Sequence, residues 1–388
     1  MSIARRLAPF LLDAADAYPV VTLTGPRQSG KTTLCRETFP SLPYANLERP
    51  DVRALAQSDP QAFLEQFPYG AIIDEVQRLP ELLSWVQVLV DERPGNGQFI
   101  LTGSHQFELM ASVTQSLAGR TALLRLLPLS INELRDAGLP SGTDWLLFSG
   151  GYPRIHAGGT PVSRMLGDYF ETYVERDLRQ LVELRQLREF RRFVQLCAGR
   201  VGGLLNLHSL AADVGVSDHT ARAWMGLLEA SYVVYLLPPW FENLGKRLIK
   251  APKLYFYDVG LASWLIGIRE ESHLVAHPMR GHLFENLVVM EFVKHFENSG
   301  QRPPLFFYRD SQGVESDLVI EHAGGPGALG LVEVKAGQTY DGGFADNLHR
   351  VGRTLGPRVT RKMFVYGGNE SFVHSGVEVA GLQAGGFR

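Results

Sequence analysis

Residues 25–32 read GPRQSGKT, which matches the phosphate-binding pattern GxxxxGK[ST] at every fixed position. The apolar segment Val20–Thr24 precedes this loop and a helix-forming segment follows it, which is the context that the pattern requires. In such a loop, successive backbone N–H groups and the positive end of the following helix bind an anion. The alternative interpretation is a glycine-containing turn between a strand and a helix, with a coincidental lysine.

The residue types in this loop predict that ATP and Mg²⁺ bind there. Lys31 would reach the β- and γ-phosphates, and Thr32 would place its hydroxyl on Mg²⁺. The sequence therefore predicts a nucleotide-binding loop formed by Gly25, Pro26, Arg27, Gln28, Ser29, Gly30, Lys31, Thr32 and Thr33.

A second short apolar segment, residues 69–73, ends in two carboxylates, Asp74 and Glu75. This pattern is typical of a buried parallel strand whose carboxyl end reaches a ligand crevice. Asp74 is predicted to hold Mg²⁺ through water, and Glu75 to polarise the attacking water as a catalytic residue. The alternative is an acidic cap at a helix N-terminus, where carboxylates are also favoured.

A third apolar segment, residues 98–104, ends in small hydroxyl residues. We expect this strand to lie between the two nucleotide-binding strands and to offer Thr102 or Ser104 to the γ-phosphate or the lytic water. Thr-Gly-Ser is also ordinary loop chemistry, so the alternative is a simple turn.

Composition is that of a globular protein. The chain has 388 residues, of which 45% are hydrophobic and 20% charged, so it can form two or three domains. It has no apolar stretch that could span a bilayer and no signal-peptide cleavage pattern, which predicts a cytoplasmic protein without membrane contact. Cys35 and Cys197 lack metal-ligand spacing and are predicted to be buried thiols. The net charge of −3 argues against indiscriminate coating of nucleic acid but permits a local basic surface.

The segment after residue 149 predicts a helical lid. Gly150-Gly151-Tyr152-Pro153 precedes a long helical stretch, residues 162–200. This element resembles one that opens the helical lid in AAA-type ATPases, where a proline contacts the adenine ring, and the resemblance makes Pro153 the candidate for that contact. A plain turn is the alternative.

The next segment predicts a winged helix-turn-helix. Residues 207–214 form one short amphipathic helix, Ser217 caps a second helix at residues 218–230, and a strand follows at residues 232–236. Helix, turn, helix and strand in this order is the sequence pattern of that motif.

If this motif binds DNA, the second helix would place His219, Thr220 and Arg222 near the bases of a major groove. The wing would contact phosphates through Lys246, Arg247 and Lys250, together with Lys253. Between Arg191 and Lys253 the chain has eight Lys and Arg residues against four Asp and Glu residues, a local excess of positive charge. The alternative is that the motif docks another protein.

The C-terminal part carries acidic residues in a pattern that resembles the core of the PD-(D/E)XK nuclease-like fold. A helix contains Glu285, a strand carries Asp317, and a strand sixteen residues further on ends in Glu333-Val334-Lys335. Asp317 and Glu333 could hold one or two metal ions, Lys335 could orient hydroxide, and Glu285 could steady the metal or a water. The alternative is a domain that binds nucleic acid or assembles an oligomer without cutting. Ser316 stands where relatives carry an apolar residue.

These motifs, together with LAGRTALLRLLPLSINE at residues 117–133 and GGYPRIH at residues 150–156, resemble a bacterial and archaeal family that joins an AAA-type ATPase domain to a C-terminal domain. The resemblance implies a ring-type homo-oligomer, commonly a hexamer. It also implies an arginine finger that completes the site of a neighbouring subunit. Arg120 is the candidate finger or sensor, and Arg135 and Arg154 are alternatives.

The predicted fold class is α/β: a three-layer P-loop ATPase core at residues 1–149, a helical lid at 150–200, a winged helix-turn-helix at 201–275 and a small nuclease-like α/β domain at 276–388. The predicted function is ATP hydrolysis coupled to DNA binding or remodelling, with branched or junction DNA as one substrate class. Two other functions stay open: an ATP-dependent signalling or assembly switch that docks proteins, and an ATP-gated nuclease.

Overall fold

The computed structural model describes residues 3–104, 116–174, 186–242, 250–321 and 327–384. The chain divides into two compact units. The first contains the residues up to Leu129 together with the short segments Ala230–Tyr232 and Phe296–Arg302. The second contains Ser130–Glu229, Val233–His295 and the chain from Pro303 onward.

The first unit is built on a parallel sheet of five strands in the order β2-β3-β4-β1-β5. The expected position of the third apolar segment is confirmed, because β4 lies between β1, which precedes the GPRQSGKT loop, and β3, which ends at Asp74. All carboxyl ends lie at the same edge of a parallel sheet, so that edge collects the predicted site residues. The strands are β1 (Val20–Thr24), β2 (Tyr44–Asn46), β3 (Ala71–Asp74), β4 (Phe99–Gly103) and β5 (Thr121–Arg125).

Both faces of this sheet are covered. Val20 and Phe99 point into one apolar cluster, and their neighbours Val21 and Ile100 point into the cluster on the opposite face. This burial on two sides explains why the central strands read as continuous apolar runs rather than alternating ones. The helices of this unit are α1 (Ala8–Ala17), α2 (Lys31–Thr38), α3 (Pro50–Ser58), α4 (Pro60–Glu65) and α5 (Leu82–Glu92).

Helices form the first part of the second unit. The two predicted helices of the helix-turn-helix segment are confirmed with the predicted bounds. The Asn206 side chain accepts the Ser209 N–H at 3.0 Å, and the Ser217 hydroxyl accepts the Thr220 N–H at 3.1 Å, so both helices begin at a side-chain cap. The helices are α6 (Ile131–Asp136), α7 (Thr143–Ser149), α8 (Pro153–His156), α9 (Val162–Tyr169), α10 (Leu187–Ala198), α11 (Leu207–Val214) and α12 (Asp218–Ala230).

Strand β6 (Val234–Leu237) begins two residues later than the sequence pattern predicts. Tyr232 adopts φ 55°, which a β-strand does not allow, and its hydroxyl lies 2.8 Å from the Thr24 hydroxyl in the first unit. β6 pairs antiparallel with β7 (Lys253–Phe256), and every residue of β7 is buried. Helix α13 (Val259–Leu265) follows, and its N-cap Asp258 accepts the Leu261 N–H at 2.9 Å.

A mixed sheet of six strands completes the second unit, in the order β12-β13-β11-β10-β9-β8. β8, β9 and β10 are antiparallel neighbours, whereas β10, β11 and β13 are parallel. The Ser316 hydroxyl is fully buried and donates to the carbonyl of Val332 at 3.1 Å, so this polar residue fits the strand interior. The elements are α14 (Arg280–Glu297), β8 (Leu305–Arg309), β9 (Glu315–Glu321), β10 (Leu329–Lys335), α15 (Phe344–Leu355), β11 (Val359–Tyr366), β12 (Ser371–His374) and β13 (Val377–Gly381).

Two further expectations concern cysteines and membranes. Cys35 and Cys197 are buried free thiols, as predicted, and burial raises the pKa of Cys197 to about 12. Among the described residues, no helix is both long and apolar enough to cross a bilayer.

Candidate nucleotide-binding site

The loop between β1 and α2 depends on unusual backbone angles. Gly25 and Gly30 have φ 144° and 94°, and Gln28 has φ 61°. A Cβ atom at Gly25 would lie 2.2 Å from the carbonyl oxygen of Leu126, so only glycine permits this close approach of two strands. The fixed glycines of the pattern therefore shape the loop that precedes the N-terminus of α2.

Lys31 is the first residue of α2 and is 6% exposed. Its ammonium donates to the carbonyls of Gly25 and Pro26, both at 2.9 Å, and thus lies within the loop. Burial lowers the pKa of Lys31 to about 8, against the opposing effect of the Glu75 and Asp74 carboxylates. A buried ammonium with its pKa lowered is short of compensating negative charge, which a bound phosphate would supply.

Arg5 braces the loop from outside the motif. Its guanidinium donates to the carbonyl of Ser29 at 2.6 Å and to that of Leu127 at 2.6 Å. The Ser29 hydroxyl is buried and has no hydrogen-bond partner among the described residues, so it can donate to an anion held in the loop. Sequence reasoning missed Arg5, because it lies twenty-four residues before Ser29 and belongs to no motif.

Asp74 lies at the carboxyl end of β3 and accepts three hydroxyl groups. Thr32 donates at 2.8 Å and Tyr44 at 2.6 Å, and Thr102 donates to the other carboxylate oxygen. Asp74 therefore joins the phosphate-binding loop to both neighbouring strands. Burial, followed by the hydrogen bond to Asp74, raises the pKa of Tyr44. Tyr44 was not predicted from the sequence. It is the first residue of β2, and a hydroxyl residue at that position does not by itself indicate a site residue.

Glu75 follows in the left-handed region at φ 56°, which is uncommon for a residue with a side chain and turns its carboxylate away from the strand direction. The Gln77 side-chain amide donates to one carboxylate oxygen, and the Ser104 hydroxyl donates to the other at 3.1 Å. The structure thus brings Glu75 together with Ser104, one of the predicted residues. Gln77 was missed, since a glutamine two residues after the acidic pair has no distinctive spacing.

Arg120 lies apart from this group within its own unit. It precedes β5 and its carbonyl accepts the N–H of Val20, which begins β1, so it occupies the sheet edge opposite to the loop. Its guanidinium makes a two-pronged contact with Asp91, at 2.6 and 2.8 Å. Pro153 is the first residue of α8 in the second unit. The proposed roles of Arg120 and Pro153 stay predictions, as do those of Arg135 and Arg154.

The residues present fit a nucleotide with Mg²⁺. The Thr32 hydroxyl and the Asp74 carboxylate are hard oxygen ligands, 2.8 Å apart, beside the loop that holds Lys31. In the described part of the chain, no three His, Cys, Asp or Glu side chains are arranged to hold a metal ion. Mg²⁺ at phosphate sites is usually held by one or two protein oxygens with phosphate and water, so the two ligands suffice.

The predicted DNA-contacting residues divide into three sets. His219 and Arg222 are exposed on α12, and Thr220 is half-buried with its hydroxyl 2.9 Å from that of Ser217. Lys250 is exposed, whereas Lys246 and Arg247 lie outside the described residues. The expectation that Lys253 contacts phosphates is wrong, because Lys253 is 3% exposed and its ammonium is paired with carboxylates inside the second unit.

The predicted nuclease-like residues do come together. Asp317 on β9 and Glu333 on β10 lie on neighbouring strands and both are buried. Lys335 contacts Glu333 at 2.7 Å, and Glu285 projects from α14 toward Lys253 at 3.1 Å. Burial, together with the nearby Glu285 charge, raises the pKa of Asp317 to about 6.

The parallel sheet, its phosphate-binding loop and the acidic pair beside it form a P-loop domain, and the family model described as an AAA domain matches residues 17–135, so this part of the chain is an AAA-type P-loop domain. Two further family models, described as domains of unknown function (DUF8612 and DUF4143), match residues 143–272 and 280–384. The chain is 36% identical over 330 residues to an uncharacterized protein of Mycobacterium tuberculosis and equally to one of Mycobacterium bovis, covering 84% of this chain and 73% of each relative. The chain belongs to the same family as these mycobacterial proteins.

Among solved structures, a Walker-type ATPase of Pyrococcus abyssi is similar to this chain with a TM-score of 0.44 and 17% identity, covering 67% of this chain and 94% of the other.

Proposed function

We propose that this protein hydrolyses ATP in a Mg²⁺-dependent reaction at the GPRQSGKT loop and uses the turnover to change how its second unit engages DNA. The observation that carries the catalytic part is Asp74, which accepts hydroxyl groups from Thr32 of the loop and from Thr102 of the neighbouring strand. One carboxylate thereby ties the phosphate-binding loop to the strand that lies beside the reacting phosphate in ATPases of this layout.

Each residue of the site has a separate role in binding or hydrolysing ATP. The loop N–H groups, the Ser29 hydroxyl and the Lys31 ammonium bind the phosphates, while Thr32 and Asp74 hold Mg²⁺. Mg²⁺, when bound, neutralises charge on the phosphate oxygens. Glu75 accepts the proton of the attacking water, and Gln77 and Ser104 keep its carboxylate in place by donating to both of its oxygens.

Replacing Lys31 tests the binding part of this proposal. We expect Lys31→Ala to abolish ATP binding, because the ammonium lies within the loop, against its carbonyls, and contacts phosphate in the ground state. Binding is measured by titration with a fluorescent ATP analogue, with circular dichroism to verify the fold. Arg49→Ala removes an exposed cation of the same unit and serves as the control, which should bind ATP normally. Tight ATP binding by Lys31→Ala contradicts the assignment.

DNA is the proposed partner of the second unit. Helix α12 begins at the Ser217 cap and leaves His219 and Arg222 exposed near its N-terminal end, the part of a recognition helix that contacts bases in helix-turn-helix proteins. Lys250 is exposed on the segment between β6 and β7, where the wing would lie. These features support the proposal of a winged helix-turn-helix at residues 201–275.

Removing the wing cations tests the DNA proposal. We expect Lys246→Ala, Arg247→Ala and Lys250→Ala in combination to weaken binding to all DNA sequences alike and to flatten its salt dependence, because each phosphate contact releases counterions. Arg222→Ala alone should instead change the preference among sequences or structures. Affinity is measured by fluorescence anisotropy across a salt series on single-stranded, duplex, forked and four-way DNA.

The control for this experiment removes exposed cations elsewhere in the second unit, by Arg350→Ala with Arg353→Ala on α15. That variant should keep the affinity and the salt slope of the wild type. An unchanged affinity and slope in the triple variant would instead favour a switch that docks proteins.

We further propose that the ATPase works as a ring-type homo-oligomer, a hexamer by analogy with AAA-type relatives, with Arg120 reaching the nucleotide of a neighbouring subunit. The position of Arg120 supports this, because at the sheet edge opposite to its own loop it cannot serve its own site.

A further inference from the structure

Lys253 lies at the centre of the acidic cluster that resembles a nuclease site. Its ammonium is 3.1 Å from a carboxylate oxygen of Glu285, 3.2 Å from one of Glu315 and 3.7 Å from one of Asp317. The Lys253 side chain is 4% exposed, and its contacts with Asp317 and Glu285 are largely shielded from bulk water, whereas the Glu315 side chain is 32% exposed. The ammonium donates hydrogen bonds to Glu285 and Glu315, and the Asp317 oxygen at 3.7 Å attracts it through charge.

Lys253 reaches this cluster because side chains alternate between the two faces of a strand. Lys253 and Tyr255 project from the same face of β7, and the Tyr255 hydroxyl donates to the same Glu285 oxygen at 2.6 Å. Glu315 and Asp317 likewise share one face of β9. The Lys253 ammonium also lies 5.7 Å from the centre of the Phe307 ring, whose electron-rich face attracts a cation.

The remaining residues of the predicted metal site are also occupied by internal partners. Glu333 contacts the Lys335 ammonium at 2.7 Å with one oxygen and accepts the Asn347 side-chain amide at 3.0 Å with the other. The second oxygen of Asp317 accepts the Val334 N–H at 2.8 Å. The predicted metal-binding carboxylates therefore already have cationic or N–H donors.

These contacts do not fit a divalent metal ion. Mg²⁺ held by Asp317 would require carboxylate oxygens to converge on the ion at about 2.0–2.1 Å. One Asp317 oxygen faces the Lys253 ammonium at 3.7 Å and the other accepts the Val334 N–H, so a divalent ion at Asp317 would lie beside a buried ammonium and would be repelled at close range in a medium that screens poorly. Removing the ammonium would leave the buried Asp317 carboxylate without this counter-charge, and removing one partner of a buried ion pair is strongly destabilising.

We propose that Lys253 is an internal cation that takes the place of the metal ion in the nuclease-like part of this protein, so that Glu285, Glu315 and Asp317 form a structural charge cluster and the chain does not cut nucleic acid. The proposal does not depend on the ATPase or on DNA binding.

Manganese binding tests this proposal on the full chain without nucleotide. We expect the wild type and Asp317→Asn to bind the same amount of Mn²⁺, measured as loss of the free-ion signal in electron paramagnetic resonance. Lys253→Met, which keeps an unbranched side chain one atom shorter and removes the charge, should gain one bound Mn²⁺ per chain, and adding Asp317→Asn to it should remove the gain. Lys362→Met, which removes a half-buried lysine on β11 outside the acidic cluster, is the matched control and should bind the same amount of Mn²⁺ as the wild type.

Thermal unfolding supplies the second readout, because Lys253→Met exposes buried carboxylates to mutual repulsion. We expect Mn²⁺ to raise the Tm of Lys253→Met and to leave that of the wild type unchanged. Three outcomes would overturn the proposal: a wild-type Mn²⁺ site that Asp317→Asn removes, Mg²⁺- or Mn²⁺-dependent DNA cleavage that Glu333→Gln abolishes, or a Lys253→Met protein that Mn²⁺ neither binds nor stabilises.

Discussion

Glu75→Gln should bind ATP as tightly as the wild type and yet hydrolyse it about 10²–10⁴-fold more slowly, the range over which a positioned general base accelerates a reaction. The substituted side chain would keep the shape of the glutamate, and its amide oxygen can still accept one of the hydrogen bonds from Gln77 and Ser104. The amide cannot accept a proton from water, so the loss falls on the chemical step rather than on binding. Phosphate release under steady-state conditions measures the rate of hydrolysis, and titration with a fluorescent ATP analogue measures binding.

The control for this experiment is Glu92→Gln, which neutralises an exposed carboxylate in the same unit and should leave turnover unchanged. Full turnover by Glu75→Gln would show that another group activates the water. Loss of binding instead of turnover would show that Glu75 supports the loop rather than the reaction.

Arg120→Ala should lower hydrolysis in the assembled protein by about 10³-fold or more, the contribution that arginine fingers make where they operate. In the single chain Arg120 is engaged by Asp91 at the protein surface, an exposed contact that stabilises little and can be exchanged for a phosphate contact. ATP binding to the isolated subunit should not change, because Arg120 lies at the opposite sheet edge from the loop of its own unit.

Mixing two inactive variants makes this prediction specific. A Glu75→Gln subunit still carries Arg120, and an Arg120→Ala subunit still carries Glu75, so mixed oligomers should regain hydrolysis that neither variant shows alone. Asp91→Ala, which frees Arg120 from its partner, is the matched control and should keep the wild-type rate. Undiminished hydrolysis by Arg120→Ala would eliminate this residue and direct attention to Arg135 or Arg154.

The parallel sheet and its phosphate-binding loop were predictable because their signals are local. The pattern GxxxxGK[ST] places glycine where the loop backbone turns with positive φ, at Gly25 and Gly30, and this requirement lies within the loop itself. The close approach of Gly25 to Leu126 is a long-range contact that the pattern does not indicate. Helices α11 and α12 were predicted at their observed bounds for a similar reason, since capping by Asn206 and Ser217 is a contact between residues three apart.

The partners of the site residues were less predictable. Arg5 contacts the loop, Tyr44 contacts Asp74 and Gln77 contacts Glu75. Arg5 and Tyr44 belong to no recognised motif, and Gln77 lies in the motif at residues 72–80 without having been assigned a role. Arg5 and Tyr44 are brought to the site by the order of the strands and helices, and Gln77 by the left-handed turn at Glu75. Thr102 and Ser104 were found from sequence only because they end an apolar run that had to be a strand.

Spacing in the sequence determined which residues carry the chemistry of the loop and which carboxylates lie on neighbouring strands. Only the tertiary structure decided that Lys253 belongs among those carboxylates and not on an exposed wing, because alternation along β7 defines two faces without stating what covers either of them. From sequence, a lysine near other cations is predicted to contact phosphate. The structure shows instead that Lys253 is buried and contacts Glu285 and Asp317. The sequence shows the positive charge of Lys253 directly. The carboxylates that pair with it lie more than thirty residues away in the chain, so their contact with Lys253 depends on the fold.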